Sequence, residues 1–144
     1  MRPLNPAAKY EQLDHAGDIR IRVFGDTIKD LFNNAAYALF DLITDADKIQ
    51  HNLAETVEVS GIDKEELLVN WLSELNFLFL TESKIFNKFE IDKFTDTEII
   101  ATVLGEKFNP HHHSFKNEIK AVTFHDLEII QKKNLWETKI VFDI

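Results

Sequence analysis

Cysteine is absent from all 144 residues, and that gap removes disulfides, thiolate metal ligands and thiol nucleophiles together. Any chemistry must use oxygen and nitrogen groups. Glycine is scarce and scattered, with four residues at positions 17, 25, 61 and 105. Neither a glycine-rich phosphate loop nor a G-x-S-x-G nucleophile elbow is present, and an H-E-x-x-H zinc pair is missing too. No apolar run is long enough to cross a bilayer, so no membrane partner is expected. The opening MRPLNPAAKY is too short and too polar for a signal peptide, which makes a cytoplasmic address the default expectation. Positive charge is also in deficit: 16 Lys and Arg stand against 25 Asp and Glu, a net charge of −9. Long-range steering then favours cations and basic protein surfaces over polyphosphate, and direct binding of nucleic acid is not expected.

What the chain has in quantity is core material. Apolar residues make up 44% of it, including twelve phenylalanines and two tryptophans. A chain of this length forms one domain, 1–144, with residues 1–8 as a flexible lead, and buries roughly 68–70% of its extended surface on folding.

The pattern along the chain is strand, helix, strand, helix, then mostly strand. In DIRIRVF, Ile19, Ile21 and Val23 alternate with Asp18, Arg20 and Arg22, the mark of a half-buried strand. Thr27 with Asp30 resembles a capping box, and Leu31, Ala35, Leu39 and Leu42 with Phe32, Ala36 and Phe40 form a helical stripe. TDADK reads as a turn. Val57 and Val59 mark a second strand, and Gly61, Asp63 and Glu66 open another helix. Leu67, Leu68, Trp71, Leu72, Leu75, Leu78 and Phe79 give that helix an arc wide enough to pack on a sheet and be embraced by something further. KIFNKFEID, TEIIATVLGE, NEIKAVTFHDLEII and LWETKIVFD read as four strands, with KKN a hairpin turn between the last two. The third is about twice the usual strand length, so a bulge or bend is expected in it. The expected class is α+β, two helices packed on a largely antiparallel sheet.

The strongest chemical candidate joins the two ends of the chain. In the last strand Trp136, Thr138, Ile140, Phe142 and Ile144 share one face, which leaves Asp143 on the wetter one. Asp18 stands at the mouth of the first strand, also on its polar face. If the two strands are neighbours, Asp18, Asp143 and the main-chain carboxylate of Ile144 meet, and such like charges repel unless a hard cation lies between them. Oxygen-only ligands favour calcium or magnesium over zinc. If the strands are apart, each carboxylate is simply solvated.

The histidines read more blandly. His111, His112 and His113 are consecutive, and neighbours in extended chain point in opposite directions, so a wet loop is expected rather than a zinc site. His125 shares a face with Ile119 and Ala121 and is expected to be half-buried and hydrogen-bonded. His15 lies beside Asp14 and near Asp18, but the sequence supplies no nucleophile for it to activate. Trp71 is expected in the core.

With these stretches quoted, the sequence resembles the archease family, the accessory proteins of RtcB-type RNA-splicing ligases. The likeness runs through KYEQLDHAGDI, similar to a K-Y-E-x-L-D-H-T-A-D opening, GDTIKDLFNNAAYALFDLITD, LLVNWLSELNFLF, GEKFNPHHHSFKNEIKAVTFH and the closing VFDI. It departs at Ala16 and Gly17, at Asn117 in place of Thr and at Phe124 in place of Tyr, and each change apart from Gly17 for Ala removes a hydroxyl. The resemblance implies a strand-helix-strand-strand domain with an inserted helical segment, and a calcium or magnesium site at Asp18, Asp143 and Ile144. It also implies a protein that is not itself an enzyme but promotes transfer of GMP from GTP onto the histidine of the ligase, so that the ligase turns over repeatedly in tRNA splicing and RNA repair. His15, Lys116, Glu118 and Lys120 are then expected to add contacts to the ligase. Two other readings stay open on the residues alone: a metal-dependent phosphohydrolase using the same carboxylates, and a general protein-assembly adaptor acting through an apolar groove.

Overall fold

The computed structural model describes residues 8–13 and 16–144. The lead expected over 1–8 lies outside the described residues as far as residue 7, and so does His15. In chain order the elements are β1 (Tyr10–Leu13), β2 (Ile19–Gly25), α1 (Ile28–Ile43), a 3₁₀ turn (Ala46–Lys48), β3 (Leu53–Ser60), α2 (Lys64–Glu82), β4 (Lys84–Phe94), β5 (Glu98–Lys107), β6 (Ala121–Val122), β7 (Ile130–Lys132) and β8 (Leu135–Asp143).

The alternation in β2 works as expected: Ile19, Ile21 and Val23 are buried while Arg20 and Arg22 stay half-exposed. Arg22 ties three strands together on the wet face, reaching Glu11 of β1 at 3.1 Å and Glu137 of β8 at 3.5 Å. Both helices begin where the capping residues predict. Thr27 Oγ1 accepts the Asp30 N–H at 3.0 Å, and Asp63 Oδ1 accepts the Glu66 N–H at 2.8 Å, each satisfying one of the orphan donors of a first turn.

The class is the expected α+β, and the strands divide into two antiparallel sheets. One runs β1-β2-β8-β6 with β7 also on β8, and the other runs β3-β5-β4. The helices join them. α1 packs on β2 of the first sheet and β4 of the second, while α2 touches β3, β4 and β5 and also β6. Between them lie fully buried Trp71, Phe32, Phe40 and Phe86. Trp71 donates its indole N–H to Phe32 O at 3.0 Å, so its polar edge is satisfied inside the core.

The long strand expected over 117–130 is instead two short ones, β6 and β7, both paired with β8. The chain leaves the sheet between them because the Thr123 hydroxyl accepts the His125 N–H, Leu127 N–H returns to Phe124 O, and Asp126 takes a left-handed φ of 53°. The β7-β8 hairpin turns at Lys133 and Asn134, as KKN suggests, with Lys133 at φ 55°. The bulges fall elsewhere, in β4, where the register to β5 shifts between Phe86 and Lys88 and again between Ile91 and Lys93. At the first of these Asn87 turns its amide to Ala46 O and Ile49 O, at 2.8 and 3.1 Å.

Gly105 shows how tightly the second sheet is drawn. It lies between Leu53 of β3 and Phe86 of β4, and a Cβ there would sit 1.8 Å from Ile85 O and 2.7 Å from the Phe86 Cα. Both are backbone atoms, so no rotamer change relieves the clash. Gly105→Ala is expected to cost about 3 kcal/mol, seen as a fall of about 10 °C in the melting midpoint.

Candidate functional site

The antiparallel register of β2 and β8 settles where the two aspartates stand. Ile19 pairs with Phe142 and each following residue pairs in step. One residue further on each strand are Asp18 and Asp143, so the sheet brings them to facing positions just past its last pair. Asp18 is held in part by Arg20, whose Nε lies 3.2 Å from Asp18 Oδ1. Asp143 and Ile144 are exposed. On the other side of β8, Asp143 faces Ala121 of β6, and Lys120 N–H donates to Asp143 O at 2.8 Å.

This end of the sheet offers two side-chain carboxylates and the main chain of Ile144, all hard oxygen donors suited to calcium or magnesium and poor for softer metals. Among the described residues no group of three His, Cys, Asp or Glu side chains is arranged to hold a metal.

The segment 116–120 connects this tip to the C-terminal end of α1. Lys116 N–H bonds Ile43 O at 2.8 Å, Lys116 Nζ reaches Asp41 O at 3.0 Å, and the Asn117 amide donates to Leu42 O at 2.8 Å. These contacts satisfy carbonyls that a helix end leaves open, and a cation is favourable there. The Lys116 ammonium is thus engaged with the helix. Asn117, where the family resemblance has Thr, has a structural task of its own. Glu118 and Lys120 are exposed and lie between that helix end and Asp143.

The histidines differ from expectation in two places. His113 is buried, not wet: its Nδ1 accepts the Asn109 N–H at 2.8 Å, its Nε2 lies 2.9 Å from Glu106 Oε2, and its ring stacks on Phe108. Flanking Phe108 and Phe115 were the available signal, since an aromatic pair around a loop implies a local cluster. His125 is exposed and lies 3.2 Å from Asp126, because the turn at 123–127 carries it off the sheet face it was expected to share. His111 and His112 are exposed, as a wet loop requires.

Glu106 collects these contacts. Burial pushes its carboxyl up, but the Gln50 N–H at 2.6 Å, then His113 and His112, outweigh burial and hold it below the usual carboxylate range.

The comparisons with known proteins are consistent across the chain. The family described as Archease protein family (MTH1598/TM1083) matches residues 10–144. The protein archease of Methanosarcina mazei is 39% identical over 140 residues, 94% of this chain and 96% of that one. The protein archease of Pyrococcus abyssi is 38% identical over 141 residues, 94% of this chain and 99% of its own. Among solved structures, the solution structure of Methanobacterium thermoautotrophicum protein 1598 superposes with a TM-score of 0.77 at 31% identity, covering 94% of this chain and 99% of that one. The crystal structure of an archease, possible chaperone, from Thermotoga maritima shares the fold, with a TM-score of 0.66 at 18% identity over 93% of this chain and 96% of that one.

The depressed Glu106 carboxyl makes a stability prediction. A lowered folded-state pKa contributes stability above the unfolded value of about 4.3 and loses it as pH falls through the folded value. Glu106→Gln is expected to cost about 1–2 kcal/mol at neutral pH. The gap to the parent protein should close below about pH 4 in urea melts run across the pH range.

Proposed function

The chain belongs to the archease family, and from that footing we propose that it is a non-catalytic activator of an RtcB-type RNA ligase. In this reading it promotes guanylylation of the ligase and its repeated turnover in tRNA splicing and RNA repair. The observation that carries the proposal is the β2-β8 register, which leaves Asp18 and Asp143 facing each other with Ile144 alongside. Asp18, Asp143 and the main-chain carboxylate of Ile144 would hold a calcium or magnesium ion, and the donor set fits such an ion. A bound ion would offset the repulsion between the carboxylates and leave the tip mildly acidic, with open coordination positions for a group of the ligase.

The rest follows from the chain's own groups. Arg20 restrains Asp18 from one side, while the Lys120 main chain fixes Asp143 from the other. The Asp18 carboxylate and the Asp143 main chain therefore meet a partner with less freedom to lose, which favours association. The acidic balance of the chain, −9, steers the tip toward a basic rim. Activation then means that the tip makes better contact with the nucleotide-accepting state of the ligase than with its resting state, because only differential affinity shifts a conformational equilibrium. Exposed Glu118 and Lys120, next to Asp143, are placed to add contacts of this kind. The Lys116 ammonium is already spent on α1.

The test is multiple-turnover ligation by an RtcB-type ligase with GTP, with Asp18→Ala and Asp143→Ala compared with the parent chain. Each variant is expected to lower turnover at least tenfold with an unchanged circular-dichroism spectrum, and each should abolish calcium or magnesium uptake in calorimetry. Full activation by both variants would remove the tip from the mechanism. Activation without uptake of either ion by the parent would remove the metal while leaving the contact.

A further inference from the structure

Helix α2 is apolar around most of its circumference, a pattern that belongs to helices covered on all sides. Its outer face is nevertheless open: Phe77 is 54% exposed and Leu80 is 47% exposed. This face lies beside the edge strands of both sheets, and α2 is clamped to each. The Asn70 amide donates to Ser60 O at the end of β3, and the Asn76 amide donates to Ile119 O just before β6, both at 2.8 Å. On the β3 side the clamp leaves a cleft of about 360 Å³, lined by Val59, Ser60, Asn70, Ser73, Glu74 and Phe77.

Among the described residues β3 pairs only with β5, so its other edge carries main-chain groups outside any ladder, of which Ser60 O is taken by Asn70. Gly61 N–H bonds Thr97 O at 3.0 Å, which fixes the phase of the ladder. Alternate residues counted back from Gly61 are turned to β5, and Glu58 and Ser60 turn their main-chain groups to the free edge. The charges around that edge are mostly acidic, Glu55, Glu58, Glu74 and Glu82, with Lys84 and Lys93 the cations among them. Glu55 is matched by Lys84, which also holds Glu82. Lys93, held by Glu98, feels the charge of Glu58 across β5, whereas among the described residues no ion pair reaches Glu74. Burial pushes the Glu74 carboxyl up, and the nearby charges of Glu82 and Glu55 push it further, which marks an acidic rim short of a cation.

We infer that the free edge of β3 and the outer face of α2 form a docking site for an extended basic peptide segment of a partner protein, added to β3 as a further strand. Main-chain bonds to both groups of Glu58 and to the Ser60 N–H supply the pairing, the Ser60 carbonyl being taken by Asn70. Alternation does the rest: side chains on one face of the added strand cover Phe77, and those on the other meet Glu58 as cross-strand cations, while Glu74 adds negative field from the α2 side. This goes beyond the ligase reading and does not depend on it, since none of these residues belongs to the Asp18 and Asp143 tip.

The probe is an eight-residue peptide of alternating lysine and valine, with a glutamate and valine peptide as its control. Binding is measured by calorimetry and by amide NMR on the full chain. The basic peptide is expected to bind at least tenfold more tightly than the acidic one, with shifts on Glu58, Ser60, Asn70 and Ser73 and slowed exchange of the Glu58 and Ser60 amides. Phe77→Ser and Glu74→Lys, both on the protein surface, should each weaken it tenfold or more. Equal binding of the two peptides, unchanged binding by Phe77→Ser, or shifts confined to Asp18 and Asp143 would overturn the proposal. So would peptide-free, concentration-dependent broadening of the same amides that Phe77→Ser removes, because that would assign the face to a second copy of the chain.

Discussion

The structure depends on the main-chain pairing of β8. This strand bonds β2 along one edge and both β6 and β7 along the other, so the β1-β2 pair, β6 and β7 are one sheet only because β8 lies among them. Its inward residues Ile140 and Phe142 are fully buried, and Thr138 turns its hydroxyl to Glu128 O at 2.9 Å instead of leaving it orphaned. A strand so placed does not fray, and its last residues are held in register up to the point where the ladder stops. The carboxylates at the tip inherit their positions from that ladder. Their proximity is a by-product of sheet registry and needs no dedicated loop.

Where regular pairing ends, asparagine takes over. Asn33 bonds Phe89 O, Asn34 bonds Phe24 O, Asn70 bonds Ser60 O, Asn76 bonds Ile119 O, Asn87 bonds Ala46 O and Ile49 O, and Asn117 bonds Leu42 O. Each joins a side-chain amide to a carbonyl of a different element, and a net contribution of about 1 kcal/mol per bond is the usual scale. The device suits a chain short of glycine and proline. Turns built without those residues leave carbonyls unpaired, and a buried carbonyl must find a donor.

The sequence was most legible where one periodicity ran unbroken. β2, α1, α2, β5 and β8 all carry long patterns of one period, and the caps at Thr27 and Asp63 mark the helix starts. It was least legible where partners far along the chain decide. β1 offers too few residues for alternation to show, and it exists because Arg22 and the β2 edge hold it. The stretch 117–130 has strand composition throughout, but the turn at Asp126 is worth more than continued pairing. His113 looked wet beside two other histidines until Phe108 and Glu106 enclosed it. For the candidate site, the polar-face positions of Asp18 and Asp143 at strand ends were readable, but their facing was only a condition on the two strands being neighbours, which the β2-β8 register supplies. The tie between Lys116 and α1 was not, since it joins residues that no local pattern connects.

The pairing of Ile19 with Phe142 also bears on how the protein is made. The two residues are more than a hundred positions apart, so β1 and β2 emerge from the ribosome long before their main partner exists. Contacts this distant slow the search for the native topology. Until β8 arrives, β2 presents an unpaired edge and a row of Ile19, Ile21 and Val23 to solvent. The newborn chain is thus most prone to clumping early in synthesis, and its acidic tip is the last part to mature.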